Sequence, residues 1–284
     1  MSTKLTQLQR AAVREAAIQD AAVEDFERLL AQLVTRLMRR LRAELADWDV
    51  DDAGRLVNEM ANLGRALVFR RQFGDWLQQE GFLELAARVL ADPFDDLAES
   101  VFATSRIANE AAKLASFTDT LNALKELRLA DLLDVSDDMG REVAKLAFEG
   151  MLSLRPVDSL VLDIADRLDL SQRQARTIYD TAVSTYARQV ELLNADGTDD
   201  ELFVYVGPFD ERNRDFCEDR VGKVFARTDI DAMDNGQMPD VFITGGGYNC
   251  RHTWKRVSIL DDELRGLAGT GKRVPEIDAM RRAA

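Results

Sequence analysis

The chemistry-bearing side chains of this sequence are few and close together. The 284 residues contain two cysteines and one histidine, and these fall at Cys217, Cys250 and His252. A Cys-x-His pair with a distant cysteine offers three soft ligands, whereas a structural zinc site takes four. The fourth would have to come from Asp215, Asp219 or water. The same residues raise a second chemistry, a thiol nucleophile beside a base. Residues 250 and 252 of one strand project to the same face, but no acid is placed to orient the histidine. The simpler reading is two small buried thiols and a hydrogen-bonded histidine inside a compact module. The expectation is therefore no catalytic residue, no cofactor and no metal ligand, with zinc as the alternative.

Other clusters carry less chemistry. Asp210, Arg212 and Arg214 sit beside Asp215 and Glu218, a pattern of local ion pairs. Gly245-Gly246-Gly247 lacks the lysine and helix of a phosphate-binding loop and reads as a tight return of the chain. Residues 164–179 outline a helix, a turn at Asp169-Leu170-Ser171 and a second helix starting near Arg173 and Arg176. That is the outline of a DNA-reading helix-turn-helix, and two packed helices of a bundle explain it as well. The net charge of −14 opposes binding to a phosphate backbone, so no specific nucleic-acid contact is expected. No apolar leader or uncharged run of membrane length is present, which predicts a protein that stays in the cytoplasm where it is made.

The elements that must position these residues are mostly helices. Phe26, Leu29, Leu30, Leu33, Leu37, Leu41 and Leu45 recur at three- and four-residue steps, which predicts a helix from about Lys4 to Leu45. Its stripe must be covered by later helices or by a second copy of the chain. Helices are expected from Asp51 or Asp52 to Arg71, from Asp75 to Leu90, and from Asp95 to about Leu114. Two more cover Thr118 to Leu132 and Asp137 or Asp138 to Leu154, with Gly74, Pro93 and Pro156 as breaks. Residues 158–168 and 172–193 form the next pair. The polar stretch 194–200 marks a boundary. Beyond it strands are expected at 203–206, 222–225 and 252–259, with short helices near 212–220, 229–235 and 261–267. The fold class is thus mainly α: a helical region over 1–156, then a module over 157–260. That module comprises leading helices at 157–194 and a small α+β part with a short sheet at 201–260. A peripheral segment covers 261–284.

The module resembles a known pattern. A Tyr205 strand, Asp210, Arg214, Cys217, a Gly222-Lys-Val-Phe turn and the close Gly246-Gly-Tyr-Asn249-Cys250-Arg251-His252 are similar to the C-terminal module of the head-morphogenesis family. This is the family of phage minor head proteins that includes the Mu F-like proteins. The helix Ser171–Tyr179 is similar to the helix leading into that module. The resemblance spans about Leu160 to Ile259. Two departures stand out: many relatives carry a further cysteine soon after the first, and a close ending in cysteine where His252 stands here. The resemblance implies a structural component of the virion, at the portal vertex or in the head interior, found in the host cytoplasm during assembly. Its implied partners are the portal protein, the major capsid protein or both; self-association through the first helix is a separate expectation, drawn from the apolar stripe. The competing readings are an enzyme-like effector (nuclease, peptidase or transferase) and a helix-turn-helix protein.

Overall fold

The computed structural model describes residues 2–57, 60–107, 117–193, 195, 201–257 and 262–283. It is mainly α, with a small α+β module. Five long helices come first: α1 (Ser2–Ala46), α2 (Met60–Gln79), α3 (Phe82–Ile107), α4 (Thr118–Leu152) and α5 (Val157–Leu193). The module follows as β1 (Leu202–Val206), α6 (Asp215–Arg220), β2 (Val224–Ala226), α7 (Arg227–Asp231), α8 (Val241–Thr244) and β3 (Thr253–Val257). Two short helices close the described chain, α9 (Asp262–Leu267) and α10 (Pro275–Ala283). No helix among the described residues is long and apolar enough to cross a membrane. The expected boundary at 194–200 and the expected ends near Leu114 and Ile259 lie outside the described residues or at their edge.

The helices run through several expected breaks. Pro93 lies inside α3, where an interior proline costs about 3 kcal/mol. Buried Val89, Leu90, Phe94, Leu97 and Val101 continue the apolar face on both sides of it, and that packing offsets the cost. Gly74 stands inside α2 with open space around its Cα. Asp137 and Asp138 lie within α4 rather than at a cap. The turn expected at Asp169-Leu170-Ser171 is absent, because α5 is continuous over 37 residues. Asp169 pairs with Arg173 one turn on, and Ser171 Oγ donates to the Arg167 carbonyl, so both are used within the helix. Asp51 caps a turn instead of a helix: its Oδ1 accepts the amides of Ala53 and Arg55, and α2 begins later, at Met60.

The chain forms two compact units. One holds Glu24–Leu90 and Leu127–Ile178; the other holds Met1–Val23, Ala91–Glu126 and Tyr179–Ala284. In the former, the α1 stripe is used internally: Leu33, Leu37 and Leu41 are fully buried, as are Phe69 and Phe73 of α2. Phe69 meets Trp76 edge-on at 5.7 Å and Trp48 at 6.1 Å.

The latter unit is built on a three-stranded antiparallel sheet in the order β2-β1-β3. Leu202 to Val206 are all buried, which suits a central strand covered on both faces. Alternation along β1 divides them between two cores. Leu202, Val204 and Val206 join Leu5, Leu8 and Ala12 of α1 with Leu264, Val274 and Ile277. Phe203 and Tyr205 join Cys217, Phe242, Cys250 and Trp254. The C-terminal segment is therefore less peripheral than expected, since Ile277 of α10 is wholly buried in the first of these cores.

Candidate functional site: a buried cysteine-histidine knot

Three pieces of chain converge on the second face of the sheet. Strand β1 brings Tyr205, the short helix α6 brings Cys217, and the return loop between α8 and β3 brings Cys250 and His252. The loop bends where the sequence is rich in glycine. Gly245, Gly247 and Asn249 all have positive φ, at 58°, 95° and 56°, a region that glycine and asparagine tolerate best. Gly246 has no such φ, yet a Cβ there would run into Cys217 Sγ. A Cβ on Gly207 would lie 2.5 Å from the His252 ring. Both glycines are thus needed for close approach.

The loop is anchored by α5. Arg188, 1% exposed, donates through Nη1 to the carbonyls of Cys250 and His252 at 3.0 and 2.7 Å, and through Nε to Ile243. The Asn249 amide donates to Thr181 Oγ1 at 3.2 Å. Arg214 donates to the Gly246 carbonyl at 3.0 Å from the other side. Sequence reasoning did not single out Arg188, because a lone arginine on a helix reads as solvated. Its spacing of four from Ser184, which its Nη2 contacts at 3.2 Å, is the one local sign of a buried role.

Inside the knot the polar atoms are paired with one another. Cys217 Sγ and Cys250 Sγ are 3.7 Å apart, and Tyr205 Oη lies 3.5 and 3.4 Å from them. The Gly246 amide donates to Cys250 Sγ at 3.1 Å. His252 Nε2 lies 3.0 Å from the Pro208 carbonyl, which can only accept, so that nitrogen donates. The His252 ring stacks on Tyr205 at 5.3 Å, and Trp254 packs on Tyr205 at 4.3 Å. The hydrogen bond from Cys217 pulls the Cys250 thiol well below its usual range, while the same bond and burial push the Cys217 thiol up. Burial, with the two neighbouring thiols, holds the Tyr205 hydroxyl far above its ordinary value.

Two ionic clusters frame the knot. Arg251 makes a bidentate contact to Asp210 at 2.6 and 2.7 Å and reaches Asp20 of α1 at 3.2 Å. Arg212 also pairs with Asp20. Burial opposes ionisation of Asp210, but the Arg251 hydrogen bonds outweigh it and hold the carboxyl below its ordinary value. Deeper in, Lys255 of β3 sits 2.9 Å from Glu15 of α1 and 3.0 Å from Glu191 of α5. All three are nearly solvent-free; the sequence marked Asp210 and Arg212 as charged neighbours but not their long-range partners Arg251 and Asp20.

Of the residues expected to matter, Tyr205, Arg214, Cys217, Gly246, Cys250 and His252 meet in the knot. Asn249 shapes its loop, and Asp210 and Arg251 pair at its rim. Gly222 lies elsewhere: its amide donates to the Tyr205 carbonyl at 2.7 Å, but its Cα faces Ile277. Residues 250 and 252 precede β3, so the approach of thiol and imidazole is made by the loop. Asp215 and Asp219 are exposed and stand outside the metal-type cluster. Arg173 and Arg176 lie within α5, paired with Asp169 and Glu27. A groove of about 720 Å³ lies between α4 and α5; it is lined in part by Ser171 and Arg173 but by none of the residues of the knot. Comparison of the chain with family models, curated proteins and solved structures finds no match.

Proposed function

We propose that this chain is a structural minor head protein of a tailed bacteriophage. It acts at the portal vertex or inside the capsid, in contact with the portal protein, the major capsid protein or both, and assists head assembly or DNA delivery. Its place is the virion, and the host cytoplasm during assembly. One observation carries the reading: of the residues that resemble the head-morphogenesis pattern, scattered over positions 205–252, Tyr205, Arg214, Cys217, Gly246, Cys250 and His252 meet in one knot, with Asp210 and Arg251 paired at its rim. Cys217, Cys250 and His252 are each 3% exposed, which favours a structural role over catalysis, since a substrate has no access to them. The absent turn in α5 and the paired Arg173 and Arg176 weigh against DNA reading. The apolar stripe of α1 is spent within the chain, which favours docking through polar surface over self-association along that stripe.

Co-expression of this chain with a portal protein of the same phage tests the reading. A stoichiometric complex that survives size-exclusion chromatography is expected. A folded chain that binds neither portal nor capsid protein would overturn it. So would an enzymatic activity that Cys250→Ala and His252→Ala abolish while the fold persists.

A further inference from the structure

The knot has the geometry of a metal centre. Zinc–sulfur bonds of about 2.3 Å at tetrahedral angles place two thiolates about 3.8 Å apart, and the two sulfurs stand 3.7 Å apart. A disulfide needs about 2.05 Å, and both cysteines are free thiols. One ring nitrogen of His252 lies within 4.8 Å of both sulfurs. The Pro208 carbonyl takes the Nε2 proton of that ring at 3.0 Å, which fixes the tautomer and leaves Nδ1 as the donor, as outer contacts to ligating histidines do. The Gly246 amide supports Cys250 Sγ from behind. Two thiolates and a divalent ion sum to zero charge, which lowers the cost of burying them.

A second observation points to the fourth position. Asn213 Oδ1 is buried without a hydrogen-bond partner. It lines a void of about 10 Å³ together with Cys217, Cys250 and His252, enough for about one water. Its Nδ2 donates to the same Pro208 carbonyl that holds His252. Tyr205 Oη is near both sulfurs, but as a neutral phenol it serves as a hydrogen-bond donor to a thiolate.

We propose that Cys217, Cys250 and His252 bind one tetrahedral zinc ion, whose fourth ligand is a water held by Asn213. Thiolate and imidazole donors in a tetrahedral set select zinc over the oxygen-seeking magnesium and calcium. The site concerns the knot alone and stands whether or not the protein works in a phage head.

The test uses the full chain, purified under reductant, with zinc and cobalt alone as probes. Elemental analysis should find one zinc per chain. After chelation, cobalt should restore one equivalent with thiolate charge-transfer absorption and the visible bands of a tetrahedral ion. Zinc should raise the melting temperature of the stripped chain. Asp215→Ala and Asp219→Ala should bind as the parent does, whereas Cys217→Ser and Cys250→Ser should lose the stoichiometric ion. If those serine variants unfold, the uptake by the parent chain still decides. A reduced parent chain with two titratable thiols that takes up neither zinc nor cobalt overturns the proposal. Cobalt spectra lacking thiolate charge transfer overturn it too.

Discussion

Replacing Lys255 by methionine leaves Glu15 and Glu191 facing each other without their shared cation. The ammonium lies 2.9 and 3.0 Å from the two carboxylates, so their oxygens are at most about 6 Å apart. At an effective dielectric of about 20, two such charges repel by about 3 kcal/mol. Two charge-assisted hydrogen bonds are lost as well. Removing one partner from a buried ion pair costs about 3–5 kcal/mol, and the variant should fall in that range at pH 7. The cost should depend on pH. Burial already raises the Glu191 carboxyl above its ordinary 4.5, and loss of the lysine raises it further. An acid whose folded pKa exceeds its unfolded one contributes stability that is present at low pH and lost as pH rises. The deficit should therefore shrink as pH falls toward 4.5. Hydrogen exchange at the β1 and β3 amides measures the local opening free energy in the unit that contains the change. A deficit below about 1 kcal/mol, or one that stays constant from pH 7 to the carboxylate range, would refute the reasoning.

Two further perturbations test the frame of the knot. Asp210 is held below its ordinary 3.8 by Arg251, so its contribution is present above 3.8 and is lost as pH falls through the lowered value. Asp210→Asn should flatten that acid limb in a thermal melt of the chain, and an unchanged limb would show that the pair is not coupled to folding. Gly246→Ala drives a methyl into Cys217 Sγ and should destabilise the module by about 1–3 kcal/mol, the cost of overpacking. The same exchange measurement checks this, with α2 amides as the unaffected control.

The helical character and the α+β module were legible because they rest on periodicity. The stripe from Phe26 to Leu45 marks α1, and the β-forming content of residues 203–206 marks a strand, whose burial on both faces is a feature of the fold. Punctuation residues misled where packing overrode them. Pro93 and Gly74 lie inside helices because the apolar faces of α3 and α2 continue past them. Asp137 and Asp138 read as a helix start and Asp169 as part of a turn, but all three sit within helices, and Asp169 forms an i,i+4 pair with Arg173. The knot was half legible. Cysteine, histidine and glycine stood out by type, and their convergence followed from the loop. What the sequence concealed were the long-range partners: Arg188, Glu15, Glu191, Asp20 and Asn213. Each is an ordinary polar residue, and only tertiary structure brings it to the loop or strand it serves. The C-terminal helix α10 was missed for a related reason, because Ile277 acquires meaning only against Gly222 and Val274.

Whether this protein belongs to a phage head is decided most directly by counting it in purified particles. On the proposed reading, the chain belongs to a phage whose virions, separated on a density gradient and quantified by mass spectrometry, should contain it in a few copies per portal ring. It should stay with heads when tails are removed. Intact particles in which the chain is absent, while it accumulates free in the infected cell, would contradict the account.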